Sequence, residues 1–200
     1  MENIKKVANF LFELAGAKTT PRTGWHRIGI NLSESLADHS ALSGQIAYIL
    51  AAMEGANPDH AVALAIFHDT AELRLGDANW VARIYNDHKN QKERAQSDQI
   101  NGMSVAPKMK AIFEELKDCK TKEAQIAWDA DSLDMAIQAK YYAENGNKKA
   151  LLWIESIGNA FKTDSAKQIF AAIKNAGIED WWMDLDPIKE KFGQLRGSEK

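Results

Sequence analysis

The sequence has little of several features that would narrow its function at once. It contains a single cysteine, Cys119, which cannot form an internal disulfide and therefore fits a reducing compartment. Cys119 lies in a polar stretch with no base partner in sight, so a nucleophilic role is not expected. The formal net charge is only −3, which excludes a broad positive surface for a nucleic-acid polymer. A local cluster of cations could still bind a single nucleotide.

Long apolar runs are also missing. No uninterrupted hydrophobic segment reaches the roughly 18 residues that span a bilayer, and the N-terminus lacks the cleavage pattern of a signal peptide. We therefore expect a cytoplasmic protein without membrane association. The sequence also has no confident strand pattern, repeat or linker. Residues 1–200 are thus expected to form one domain, with a core over about 4–182 and a frayed tail at Gly197–Lys200.

Helical periodicity is present in almost every segment, which predicts an all-α fold of about eight helices. Two helix starts carry capping signals, namely Ser35 with Asp38 and Asn57 before a proline. Residues 77–85 are expected to form a loop with at most a short turn. The predicted helices cover residues 3–15, 35–54, 58–75, 87–102, 107–117, 121–145, 147–159 and 164–176.

The most informative segment is His68-Asp69, which is followed by Glu72 and Asp77. Adjacent side chains on a helix point about 100° apart, so this pair can reach one ion only from a helix end or kink. Glu72 lies one turn after His68 and on the same face. Imidazole and carboxylate ligands together suit a borderline divalent metal that keeps coordination positions open for water. This combination is typical of a hydrolase.

Two further helical positions could contribute to such a site. His39 lies on an apolar helix face, where a buried core histidine is the commoner explanation. Asp131 also lies on an apolar face, and a buried carboxylate there needs a partner. A metal would satisfy it, but so would a lysine or the start of a neighbouring helix. Asp129 and Asp134 compete for the same role, and periodicity separates the three acids poorly.

These segments together resemble the HD superfamily of metal-dependent phosphohydrolases, and more narrowly its 5′-deoxynucleotidase branch. The resemblance covers most of the chain, from about residue 4 to Trp181-Trp182, and rests on several segments in a fixed order. They are Arg22-Thr23-Gly24-Trp25, Glu34 to Ser40 around His39, His68 to Glu72 with Gly76-Asp77, Lys89 to Ile100, and Asp131 to Ala139.

The resemblance implies one divalent metal ion, with Mn, Co, Mg, Ni and Zn as candidates. The implied ligands are His39, His68, Asp69 and Asp131. Among the competing acids it selects Asp131, because the acid-Met-x-x-Gln-Ala tail of the branch begins three residues later. It also implies two catalytic acids. Glu72 would orient or deprotonate the attacking water, and Asp77 would act on the substrate side or position the water, without a division of the acid and base roles between the two.

The substrate phosphate must also be met by cations. The implied substrate contacts are Arg22, Arg27 and Arg83, with Trp25 as an apolar or stacking wall. Each arginine could equally be a solvated surface charge, and Lys92 with Glu93 could either close the site or form an exposed pair. The branch usually has an arginine directly before this tryptophan, where this chain has Gly24. Hydrolysis of a phosphomonoester is therefore better supported than a preference for deoxyribose.

The resemblance implies a metal-dependent 5′-nucleotidase that cleaves ribo- or deoxyribonucleoside 5′-monophosphates to nucleoside and phosphate by attack of a metal-activated water. Two other functions stay open. One is a phosphodiester or nucleoside triphosphate hydrolase on the same metal site, and the other is a non-catalytic helical module that binds nucleotides. The spare acids argue against the latter, because a structural metal site needs none. The resemblance also implies a homodimer. Trp153, Trp181 and Trp182 are expected to be packing anchors or dimer contacts.

Overall fold

The computed structural model describes residues 3–158 and 160–197. In chain order its helices are α1 (Ile4–Ala15), α2 (Leu36–Glu54), α3 (Pro58–Phe67), α4 (Glu72–Leu75), α5 (Trp80–Tyr85), α6 (His88–Ile100), α7 (Ala106–Asp118), α8 (Lys122–Glu144), α9 (Leu151–Ile157), α10 (Asp164–Asn175), α11 (Asp180–Met183) and α12 (Asp186–Gly197). Over these residues there is no strand, only an isolated bridge between Pro21 and Ser35, so the all-α prediction is confirmed. In the same residues, no helix has the length and apolarity that a membrane crossing requires.

The core is built around α8, which packs against α2, α3, α9 and α10. Small side chains let these helices approach closely, since Ala47, Ala51 and Ala130 are completely buried. Gly44 on α2 serves the same purpose, because an added Cβ there would lie 2.9 Å from the side chain of Ile66 on α3. A second, smaller core joins α1, α6 and α7.

The two predicted capping signals are confirmed. The Ser35 hydroxyl accepts a hydrogen bond from Asp38 N–H at 3.1 Å, and the Asp38 carboxylate accepts one from Ser35 N–H at 2.9 Å. The Asn57 side chain accepts a hydrogen bond from His60 N–H at 3.2 Å at the start of α3. These caps fix where α2 and α3 begin, and therefore where the candidate site residues on them lie.

The structure differs from the predicted elements in three places. The helix predicted over 58–75 is divided, because α3 ends at Phe67 and α4 begins at Glu72. The segment predicted as a loop over 77–85 contains α5, whose first turn is capped by the Asn79 side chain. Two helices that were not predicted, α11 and α12, follow residue 177. Gly197, predicted to be frayed, ends α12, and the rest of that tail lies outside the described residues.

Candidate metal centre

The side chains of His39, His68, Asp69 and Asp131 converge, although they come from α2, the turn after α3, and α8. His39 Nε2 lies 3.2 Å from His68 Nε2 and 3.2 Å from Asp131 Oδ1. His68 Nε2 lies 3.0 Å from Asp69 Oδ2 and 3.7 Å from Asp131 Oδ1. Because ligands at about 2.1 Å from one ion lie roughly 3–4 Å from one another, this arrangement could hold a single cation.

Both imidazoles are oriented as metal ligands are. His39 Nδ1 lies 2.5 Å from Asp134 Oδ2, and His68 Nδ1 lies 2.6 Å from the backbone oxygen of Ala65. An Nδ1–H that donates to an oxygen leaves Nε2 with a lone pair for a metal, and histidine ligands are commonly held in this way. Both Nε2 atoms point into the cluster, so the residues present fit a divalent metal.

The electrostatics of the cluster favour additional positive charge. Burial and the nearby Arg22 lower the pKa of His39, but Asp131 and Asp134 outweigh them and raise it to about 10. Burial raises the pKa of Asp131, yet the hydrogen bond with His39 and the charge of His68 bring it down to about 2. Carboxylates that stabilise a proton on an imidazole this strongly would also stabilise a metal cation at the same place.

The local backbone explains how two adjacent residues reach one point. After α3 the chain continues in a tight turn, in which Glu72 N–H donates to Asp69 O at 2.9 Å and Thr70 N–H donates to Phe67 O at 3.4 Å. These bonds span three residues rather than four, so the helix narrows and turns at His68-Asp69. The expectation that this pair lies at a helix end or kink is confirmed, although the helix predicted over 58–75 did not include this break.

The three competing acids of α8 have three different partners. Asp131 faces the two histidines, whereas Asp134 lies behind His39 and contacts its Nδ1. Asp129 points to the start of α10, where it accepts hydrogen bonds from Lys162 N–H at 2.8 Å and from Thr163 N–H at 2.7 Å. Asp131 is therefore the member of this group that meets the cluster directly. The role of Asp134 was missed, although its spacing of three residues from Asp131 places both on one side of the helix.

Glu72 is a buried acid without a hydrogen-bond partner in the described part of the chain. Its side chain is completely covered, and neither carboxylate oxygen has such a partner. Burial is the main reason why the pKa of Glu72 rises to about 9, and the charges of Asp69 and Asp77 raise it further. A buried carboxyl without a hydrogen bond is costly, so the position of Glu72 next to the cluster indicates a chemical task rather than a structural one.

Asp77 and Arg22 form the opposite side of the cluster. Asp77 Oδ2 accepts a hydrogen bond from Thr23 N–H at 2.5 Å. Arg22 Nη1 donates to Asp77 Oδ1 and to Asp69 Oδ2, at 3.3 Å in each case. Arg22 is largely buried, but these acids raise its pKa and keep it charged. In the part of the chain that the structure describes, these hydrogen bonds use only Nη1, which leaves other guanidinium N–H groups for an anion.

A cavity of about 970 Å³ opens above the cluster and reaches His68, Asp69 and Asp131. The predicted substrate residues Arg22, Trp25, Arg27 and Arg83 all border it. Arg83 donates from Nε to Ala78 O at 2.7 Å, and its Nη2 lies 3.7 Å from Glu72 Oε1. Arg27 is exposed and lies 3.5 Å from the Asn79 side chain. Both arginines thus reach the cavity from its rim.

Trp25 differs from Arg27 and Arg83 because it is only 2% exposed. Its indole N–H donates to Glu34 Oε1 at 2.9 Å, and its ring packs against Tyr142 and Trp153. Little of the ring is therefore available as a stacking wall. The packing role expected of Trp153 agrees with its position in the core beside Trp25. Trp80, which sequence reasoning did not select, also borders the cavity and is half exposed.

Lys92 and Glu93 separate into two environments. Lys92 Nζ lies 3.2 Å from Asp69 Oδ1. Burial raises the pKa of Asp69, but the charges of His68 and Lys92 outweigh it and bring the pKa well below its usual range. Glu93 instead pairs with Lys117 at 2.7 Å on an exposed surface. Lys92 is thus the member of the pair that the structure brings to the cluster.

The chain matches one family of sequences and resembles individual proteins over most of its length. A profile of the family described as HD domain matches residues 14–174. The chain is 32% identical to the 5′-deoxynucleotidase hdd1 of Schizosaccharomyces pombe, over 71% of this chain and 76% of that protein. It is 27% identical to the 5′-deoxynucleotidase HDDC2 of Xenopus laevis, over 88% and 91% of the two chains.

Two solved structures are similar to this chain over most of its length. A conserved hypothetical protein from Pyrococcus furiosus matches with a TM-score of 0.73 and 26% identity, over 84% of this chain and 99% of that one. A protein from Pyrococcus horikoshii matches with a TM-score of 0.71 and 26% identity, over 83% and 97%. The helical arrangement that positions the cluster is therefore shared with these proteins.

Proposed function

We propose, because this chain belongs to the HD-domain family, that it is a metal-dependent 5′-nucleotidase that releases inorganic phosphate from nucleoside 5′-monophosphates. The observation that carries the proposal is the convergence of His39, His68 and Asp69, whose candidate ligand atoms all lie within 4.8 Å of one another, together with Asp131, whose Oδ1 lies 3.2 Å from His39 Nε2 and 3.7 Å from His68 Nε2. The relatives named 5′-deoxynucleotidase support this substrate class.

These four residues would hold one divalent ion. When bound, such an ion polarises a phosphoryl oxygen and lowers the pKa of a water molecule toward neutrality. The surrounding cations would bind the phosphate. Arg22, held between Asp69 and Asp77, presents its remaining N–H groups to the cavity, and Lys92 adds a second charge close to Asp69. A guanidinium suits this role because its planar N–H groups match two phosphate oxygens.

Glu72 is the residue that would handle the proton. Its carboxyl has no competing hydrogen-bond donor in the described residues, so it is free to orient a water molecule and accept its proton. A cation nearby would bring its pKa of about 9 down toward the working pH. Asp77 would assist from the side of Arg22, where the hydrogen bond from Thr23 N–H holds it in place.

The preference for deoxyribose and the homodimer, which the resemblance implies, and the cytoplasmic location, which was expected from the composition and the N-terminus, remain predictions. A phosphodiester or triphosphate hydrolase with the same ligands is the alternative that product analysis has to separate from the nucleotidase. The panel of substrates should therefore include deoxy- and ribonucleoside 5′-monophosphates, 3′-monophosphates, nucleoside triphosphates and a phosphodiester. Sedimentation of the purified protein would test the dimer.

The test begins with protein that has been stripped by a chelator and reloaded with Mn²⁺, Co²⁺, Mg²⁺, Ni²⁺ or Zn²⁺. We expect inorganic phosphate from 5′-monophosphates with at least one of these ions and none after chelation. The Asp69→Ala variant, purified in the same way, controls for contaminating phosphatases and should release none. Pyrophosphate as product, or turnover of the diester alone, would refute the nucleotidase. Activity that survives exhaustive chelation would refute the metal dependence.

A further inference from the structure

Three tryptophans form a stack that runs from the core to the cavity. Trp25 and Trp153 have ring centroids 5.0 Å apart at an interplanar angle of 32°, and Trp153 and Trp80 have centroids 5.1 Å apart at 15°. The first two rings are buried, whereas Trp80 is 53% exposed. The stack therefore has a covered end and an open end, and the open end is an indole ring at the edge of the cavity.

The position of Trp80 is set by the loop that also carries Asp77. The Asn79 side chain accepts hydrogen bonds from Val81 N–H at 3.1 Å and Ala82 N–H at 3.2 Å, which starts α5 with Trp80 as its first residue. The same Asn79 donates to Thr23 Oγ1 at 3.1 Å. Since Thr23 N–H binds the Asp77 carboxylate, Trp80 is tied to the candidate centre through a short chain of hydrogen bonds.

The cavity is too large for phosphate alone. Its volume of about 970 Å³ is at the upper end of what pockets for small molecules and cofactors have. Its lining includes the charged groups of the cluster, His68, Asp69 and Asp131, and also the aromatic rings of Trp80 and Trp153. A ligand that contacts both sets needs an anionic part and a flat, apolar part, and a nucleoside monophosphate has this combination.

We propose that Trp80, supported from behind by Trp153, is a stacking platform for the nucleobase of a 5′-nucleoside monophosphate. This inference rests on the proposed function, because it assumes that the phosphate lies at the candidate metal centre. Every base has a π-face, so stacking on tryptophan contributes affinity with little discrimination between bases. The platform should therefore separate nucleotides from sugar phosphates rather than one nucleotide from another.

The experiment compares two substrates on four proteins. The substrates are 2′-deoxyadenosine 5′-monophosphate and 2-deoxyribose 5-phosphate, which share the reacting group and differ in the base. The proteins are the wild type, Trp80→Ala, Trp80→Phe and Tyr85→Ala. Tyr85 is the matched control, because it lies on the same helix and is 82% exposed but does not border the cavity.

We expect Trp80→Ala to lower kcat/KM for the nucleotide about tenfold more than for the sugar phosphate, mainly through KM. Trp80→Phe should recover most of this difference, and Tyr85→Ala should show none. Equal losses on both substrates would mean that Trp80 only supports the fold, and no loss on either would mean that the base lies elsewhere. Both results would overturn the platform.

A binding measurement keeps the platform testable if hydrolysis fails. Calorimetric titration of chelator-treated protein with 2′-deoxyadenosine, which has no phosphate, reports on the base alone. We expect binding by the wild type and by Tyr85→Ala that is weakened about tenfold in Trp80→Ala. Binding of this kind without any phosphate release would reject the proposed function and keep the platform. Equal binding to wild type and Trp80→Ala would reject the platform alone.

Discussion

Two parts of the site differ in how firmly the fold holds them. The floor consists of His39, His68, Asp69 and Asp131, of which the last three border the cavity, and the wall is the segment of residues 78–85, which borders it from Ala78 to Arg83. The floor residues lie on or beside α2, α3 and α8, which form the centre of the main core. The wall contains a six-residue helix, α5, with several exposed side chains. The floor is thus fixed by extensive packing, and the wall by a helix cap, an aromatic stack and a few hydrogen bonds such as that from Asn79 to Thr23.

This difference separates two kinds of task. The floor must hold charged groups a few ångströms apart, and only rigid, buried helices can keep such groups in place against their repulsion and desolvation. The wall must recognise a substrate, which an exposed segment can do with a few side chains. Substitutions in the floor should therefore act on kcat and metal content, whereas substitutions in the wall should act on KM.

The largest effect is expected for Asp131→Asn. This change keeps the shape of the side chain and removes the charge that contacts His39 and His68. A catalytic metal supplies several kcal/mol of transition-state stabilisation, so we expect phosphate release to fall at least about a thousandfold. Elemental analysis after dialysis should show a matching loss of bound metal. Wild-type metal content together with a wild-type rate would show that Asp131 is not a metal ligand.

Asp129→Asn is the matched control on the same helix. Asp129 accepts hydrogen bonds from Lys162 N–H and from the backbone and hydroxyl of Thr163, so its loss should affect folding rather than chemistry. Hydrogen bonds to a charged group contribute about 1.5–3 kcal/mol, which predicts a Tm lowered by roughly 5 °C. The rate per folded molecule should stay unchanged. If Asp129→Asn lost its metal as well, the assignment of the acids along α8 would be wrong.

The next largest effect is expected for Glu72→Gln. A general base contributes about 10²- to 10⁴-fold to the rate, and glutamine cannot accept the proton. We expect kcat to fall by that factor while the metal content is retained, because Glu72 is not among the four candidate ligands. Stopped assays of phosphate release, paired with elemental analysis, would measure both quantities. Loss of metal in this variant would instead make Glu72 a ligand.

Glu72→Gln should also change how stability depends on pH. Burial, with Asp69 and Asp77, raises the folded-state pKa of Glu72 from 4.5 to about 9. Between these two values the folded state binds more protons than the unfolded state, so this group makes the wild type less stable as pH rises. In chelator-treated protein the Tm of Glu72→Gln relative to the wild type should therefore increase from pH 5 to pH 9. A constant difference would show that Glu72 is not held in this environment.

Part of the scaffold of the floor could be predicted from local signals, because the caps at Ser35 and Asn57 depend on residues three positions apart. The set of floor residues came from the family resemblance, and the helix predicted over 58–75 missed the turn between α3 and α4. The choice among Asp129, Asp131 and Asp134 could not be read from periodicity. It depends on partners in α2 and before α10, which are far away in the sequence.

The wall could not be predicted in the same way. Its helix is stabilised by the stacking of Trp80 on Trp153. These two residues are far apart in the sequence, so no local pattern reveals the contact. Trp25 differs in the other direction. It was expected beside Arg22 and Arg27 as an apolar or stacking wall, and it does border the cavity, but the hydrogen bond to Glu34 and the packing against Trp153 bury most of its ring.

A smaller effect is expected for Asp134, which supports the floor from behind. Removing the partner of a histidine ligand typically costs about 10- to 100-fold in metal affinity or activity, so we expect a loss in this range for Asp134→Ala. Asp134→Asn should lose less, because its amide oxygen can still accept the hydrogen bond from His39 Nδ1. Competition with a chelating dye measures the affinity. Equal losses in the two variants would indicate a steric role instead.

The smallest effect is expected in the wall, for Arg83→Ala. Half of the Arg83 side chain is exposed, so solvent and salt screen its attraction for phosphate. We therefore expect KM to rise about tenfold at low salt, with a much smaller change in kcat. Raising the ionic strength should narrow the gap to wild type. Arg94→Ala is the control, because Arg94 is exposed, pairs with Asp98 and does not border the cavity. A lower kcat with an unchanged KM in Arg83→Ala would mean that Arg83 acts on the chemical step, through its contact with Glu72. The division of the cavity into a floor for the chemistry and a wall for substrate recognition would then be wrong for that residue.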